Sequence, residues 1–164
     1  MGRRSTRENK SIYQTSREAA GLTREAAEEA LVFVSADRID RIERGVSAPH
    51  PDEVLAMAEG YKDPLLCNHY CARECPIGQK TVPELSLREL SQITVDVLAG
   101  LNALDKQKER LTEITVDGEI SPEELADFRA IRDKLDQMSA AIDSLKLWIE
   151  ARTMTGELDK EILE

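Results

Sequence analysis

The chain has 164 residues, 41% of them hydrophobic, 33% charged and only 4% aromatic, a balance that predicts one or two small helical domains. It excludes a β-sandwich or barrel, which would need more Val, Thr and aromatic residues between regular turns. The longest apolar run, Ala30 to Val34, is far too short to span a membrane.

Met1 to Lys10 is polar and basic, unlike a secretory signal, and three cysteines fit a reducing compartment better than a disulfide framework. A cytoplasmic protein is therefore expected. The net charge of −10 is unevenly placed: residues 1–62 carry 10 Lys/Arg against 11 Asp/Glu, and residues 63–164 carry 12 against 21. Arg3, Arg4, Arg7 and Lys10 oppose only Glu8 in the first ten residues. The N-terminal part is thus where a polyanion would bind, and the rest repels one.

In chain order, Ile12 to Ala20 reads as a helix ended by Gly21. Thr23 is an N-cap for a helix over Arg24 to Leu31, and Ser35 is an N-cap for Ala36 to Arg44, which Gly45 closes. Pro49 and Pro51 bracket His50, and Asp52 to Glu59 forms a fourth helix stopped by Gly60. Asp63-Pro64 opens a short helix that carries all three cysteines and ends at Pro76 and Gly78.

Beyond Pro83 the pattern becomes heptad-like. Leu90, Thr94, Val97, Leu101, Leu104, Lys108 and Leu111 form one stripe. Leu125, Phe128, Ile131, Leu135, Met138, Ile142, Leu145 and Ile149 form another. Between them lie the turn Asp117-Gly118 and a capping box, Ser121 with Glu124, around Pro122. The expected architecture is all-α: an N-terminal helix-turn-helix bundle over 1–62, a cysteine-bearing connector over 63–83, an antiparallel helical hairpin over 84–152 and a tail over 153–164. Apolar residues outside the stripes (Ile93, Leu98, Ile114, Leu147 and Trp148) exceed what one hairpin buries. A homodimer through the hairpin is expected to cover them.

The second and third helices meet the demands of a helix-turn-helix. Ala26, Ala27 and Ala30 allow close packing, and Ile39 and Ile42 give the third helix an apolar inner face. Its outer face then presents Ala36, Asp37, Arg38, Arg41 and Arg44 to a groove, with its N-terminus at Ser35 free to face a phosphate. Arg17, Gly21-Leu22-Thr23, Ile39-Asp40-Arg41-Ile42-Glu43-Arg44-Gly45, Pro49 and Leu55-Ala56-Met57-Ala58 together resemble the Xre/Cro-type repressor family, with its lambda-repressor-like bundle. The resemblance covers residues 11–62. It implies sequence-specific binding of duplex DNA, usually by a dimer, and hence transcriptional regulation. Arg38 and Arg41 are then the candidates for base or phosphate contact, with Thr23 and Arg24 at the backbone. The chain departs from the family pattern at Val32-Phe33, where a Gly usually makes the turn, and at Arg24, where Gln is common.

Cys67, Cys71 and Cys75, with His69 among them, are spaced by four, so a continuous helix would put the three thiols on one face. The outer two would then be about 12 Å apart along the axis, too far for one zinc or for standard iron–sulfur spacing. A buried stripe of small apolar residues accounts for them, with a zinc or iron–sulfur site at this cluster as the alternative. No nucleophile–base arrangement is present, so an enzyme is not expected. Two other readings stand beside the regulator: a protein-interaction adaptor built on a bundle that no longer reads DNA, and a metal- or redox-responsive sensor.

Overall fold

The computed structural model describes residues 10–159, all of whose regular structure is helical. The basic residues Arg3, Arg4 and Arg7 lie outside the described residues. The chain packs as two units, one running to Glu84 and resuming at Ile149, the other Leu85–Trp148.

The first unit begins with α1 (Ile12–Ala19), α2 (Arg24–Leu31), α3 (Ala36–Glu43) and α4 (Pro51–Tyr61). Each of the first three is capped by the hydroxyl of the preceding residue: Ser11, Thr23 and Ser35 accept the backbone N–H of Gln14, Ala26 and Arg38. Substituting such a cap by Ala costs about 1 kcal/mol. Pro51 starts α4 at the position where a missing N–H costs nothing. Gly45 follows α3 at φ +68, the left-handed conformation that glycine adopts without strain.

Gly60 does not end α4, as the sequence leads one to expect. It sits inside the helix because Leu31 of α2 packs where a Cβ would be, 2.7 Å from the Leu31 Cδ2. The helix instead ends at Lys62, in the left-handed conformation at φ 57. The core joins Tyr13, Leu31, Val34, Ile39, Ile42, Val54, Met57, Tyr61 and Leu66.

Leu66 brings the cysteine segment into this core. α5 (Leu65–His69) passes into a π-helical turn over Tyr70–Glu74, and α6 (Gly78–Thr81) follows. The spacing by four presupposes one continuous helix. The wide turn breaks it, and Cys75 leaves in extended conformation with its N–H donated to the Tyr70 carbonyl at 2.9 Å. Gly78 is required here, because a Cβ would fall on the Cys71 carbonyl group.

In the second unit α7 (Leu90–Ile114) packs against α8 (Leu125–Met154), whose residues from Ile149 onward belong to the first unit. Arg110 pairs with Asp127 at 2.8 Å, Gly100 lies against Met138, and Arg88 donates to the Ser144 hydroxyl at 3.3 Å, an antiparallel register. The inward row of α7 runs from buried Ile93 through half-buried Val97, Gly100, Leu104, Gln107 and Leu111 to buried Ile114. It shares only Val97, Leu104 and Leu111 with the stripe read from the sequence. Gly100 marks the closest approach on this row: a Cβ there would stand 3.3 Å from the Met138 Cβ. Ile93, Ile114 and Leu147 are therefore core, while Leu90, Leu98 and Leu101 remain 40%, 54% and 47% exposed. No helix among the described residues is long and apolar enough to cross a membrane.

Candidate nucleic-acid interface

α3 is held from behind. Ile39 and Ile42 are buried, and so is Glu43, on the same inward face. Arg17 of α1 grips the Glu43 carboxylate through Nε at 2.5 Å and a second nitrogen at 3.0 Å, and gives a third bond to the Leu22 carbonyl at 2.6 Å. Burial lowers the pKa of that guanidinium, but the bond to Glu43 and its charge outweigh burial and raise it. Arg24 of α2 adds a contact to Glu43 at 2.8 Å and one to Asp40 at 3.1 Å. One carboxylate thus ties three helices.

The outward residues of α3 divide into engaged and open. Arg38, a leading candidate for base contact, turns into the domain. It binds both oxygens of Glu53 at 2.7 Å, the Ser47 hydroxyl at 2.6 Å and the Ala48 carbonyl at 2.9 Å. Glu53 also accepts the His50 N–H at 2.7 Å. The Arg38 bond, foremost, holds the Glu53 carboxyl below the usual carboxylate range. Arg44 lies against Asp40 at 3.2 Å, one turn back on the same helix, and keeps half its side chain in solvent. Asp37 and Arg41 are exposed and make no side-chain bond among the described residues. Ala36 is half-buried, and Thr23 and Ser35 serve as caps.

The N-terminus of α3 is already occupied. The Glu28 carboxylate accepts the Ala36 N–H at 3.2 Å, standing where a phosphate oxygen would be received. From Arg24 to Arg44 there are four arginines against six carboxylates, a net of −2. Two of those arginines are consumed inside the domain, so the field at this face is weak, and among the described residues Arg41 is its cation without a carboxylate partner. Neither the Glu28 cap nor the Arg38–Glu53 bond has a local signal in the sequence, because the partners stand 8 and 15 residues apart.

The turn between α2 and α3 explains the unusual Val32-Phe33. Val32 has φ 65 and ψ −44, and the Phe33 N–H closes on the Leu31 carbonyl at 2.7 Å. This is the strained form of γ-turn, which costs a β-branched residue on the order of 1–3 kcal/mol. Val32 takes the conformation that glycine would supply freely.

Among the described residues no three His, Cys, Asp or Glu side chains converge as metal ligands would. Burial, foremost, and the nearby Glu150 push the Cys67 thiol pKa up, which disfavours the thiolate that metal binding requires.

A family model described as a helix-turn-helix domain matches residues 14–63. No curated protein and no solved structure matches the chain.

Proposed function

We propose that the chain is a sequence-specific duplex-DNA-binding transcriptional regulator of the Xre/Cro type, and not an enzyme. The observation that carries this reading is the two-sidedness of α3. Its inner face is locked by Ile39, Ile42 and the Arg17–Glu43 pair, while Asp37 in the first turn and Arg41 in the last are exposed to solvent. Arg41 can donate to guanine and Asp37 can accept from cytosine, the pairings that discriminate bases in the major groove. Arg38 contributes by positioning, through the loop that it ties to α3. A second copy, paired across Leu90, Leu98 and Leu101 of the hairpin, would supply the second reader helix for a two-fold site.

The acidic balance of α2 and α3 favours one competing reading, in which this face receives a basic protein surface. A selection from random duplexes with the full chain separates the two. Enrichment of a motif, with Arg41→Ala losing about 1–3 kcal/mol at one base position, supports DNA reading. An unenriched pool from a folded protein overturns it in favour of the adaptor.

A further inference from the structure

A cavity of about 470 Å³ opens beside the end of α3. Its walls come from the start of α1, the end of α3, the loop over residues 45–49 and the π-helical turn. Apolar contact is offered by Ile12, Ile42 and Pro49. Three polar side chains meet at one end. Tyr13 donates its hydroxyl to Glu74 Oε1 at 2.7 Å, His69 Nε2 stands 3.6 Å from the same oxygen, and the two rings meet edge to face at 6.2 Å. Glu74 Oε2 takes no bond from the described residues, and Glu74 is the one acidic side chain in the lining. The volume lies in the range of small-ligand sites, which combine apolar walls with a few convergent polar groups.

We propose that this cavity binds a small organic cation, a primary ammonium on a short apolar body, with Glu74 as its counter-ion. The chemistry follows from the lining. A carboxylate that Tyr13 already orients offers its open oxygen to an N–H donor, and the charge selects a cation over a neutral or anionic ligand. The apolar walls accept a ring or short alkyl chain, and they reward burial of its surface.

The cavity is also wired to the reader helix. Ser47 and Ala48 line it, and both accept hydrogen bonds from Arg38 of α3. A ligand seated against this loop competes with or reinforces those bonds, and so biases the placement of α3. The binding site itself does not depend on DNA reading; only its consequence for regulation rests on that proposal.

The test is a two-dimensional amide NMR titration of the full chain, without DNA, using benzylammonium chloride as probe. Benzyl alcohol and benzoate serve as size-matched neutral and anionic controls. Saturable shifts at Tyr13, Gly45, Ser47 and Glu74, with a moving Arg38 Nε–H signal, are expected for the ammonium. The alcohol should bind at least about tenfold more weakly, and Glu74→Gln should lower ammonium affinity by a similar factor. Absent saturation, equal response to the three probes, or unchanged affinity in a folded Glu74→Gln variant overturns the proposal. The comparison of ammonium with alcohol is made on the unsubstituted chain, so it decides the matter even if Glu74→Gln fails to fold. A stationary Arg38 signal during saturable binding overturns the link to α3.

Discussion

Removing Glu43 should damage the first unit more than any other single loss of charge. Its carboxylate is 1% exposed and receives Arg17, itself 7% exposed, together with Arg24. Glu43→Ala leaves the Arg17 guanidinium buried with, among the described residues, only the Leu22 carbonyl as hydrogen-bond partner. Breaking a buried pair on one side costs about 3–5 kcal/mol, because the remaining charge has lost its compensation. Small domains are stable by only about 5–15 kcal/mol, so the loss takes a large share of the whole. The double variant Arg17→Met with Glu43→Leu removes both charges and fills their space, and it should recover most of the loss. Urea unfolding followed by tyrosine near-ultraviolet CD reads this unit, since Tyr13, Tyr61 and Tyr70 all belong to it. A Glu43→Ala cost below about 1 kcal/mol, or a double variant no better than the single, would refute the reasoning that an uncompensated buried charge dominates.

Three further outcomes follow from the geometry. Gly78→Ala should destabilise the first unit by about 1–3 kcal/mol or more, since the new methyl group meets the Cys71 backbone carbonyl and not a movable side chain; an unchanged melting temperature counts against the tight turn. Glu53 is held below its unfolded pKa of about 4.3 by Arg38, so its contribution is complete above that pH and lost as pH falls through the lowered folded value. Glu53→Gln should therefore flatten the acid limb of stability measured below about pH 4, and an identical slope would contradict the assignment. Cys67 should be the slowest of the three thiols toward Ellman's reagent at neutral pH, because burial disfavours its thiolate; if Cys67→Ala removes the fastest phase instead, the thiol is not shielded as described.

The fold was legible where a local rule sets it. Ser11, Thr23 and Ser35 mark three helix starts because each hydroxyl caps a helix within three residues of itself. The ends were harder. Gly60 reads as a stop, yet its missing side chain serves Leu31 from another helix, a contact between residues 29 apart in sequence that no local pattern encodes. The hairpin shows the same limit. Leu90, Leu98 and Leu101 and the true seam through Ile93 and Gly100 are adjacent apolar rows on one helix. The period alone does not choose between them, and the close approach at Met138 does.

The candidate interface inverts the usual value of an arginine. From the sequence, Arg38 and Arg41 are equivalent, one turn apart on a helix whose inner face is fixed by Ile39 and Ile42. The structure separates them by what stands opposite. Arg38 meets Glu53, which Pro51 and the His50 N–H place at the first turn of α4, and four hydrogen bonds then spend its donors inside the domain. Arg41 meets solvent. Charge counting along a helix therefore overstates its capacity for polyanions whenever a carboxylate from a later helix reaches back to it. Here it does so for two of four arginines, Arg17's partner Glu43 also holding Arg24. Under the proposed function, what remains is a surface of low charge on which base contacts by Asp37 and Arg41 must outweigh phosphate attraction. Such a surface should show a shallow salt dependence compared with the steep one that four open arginines would give.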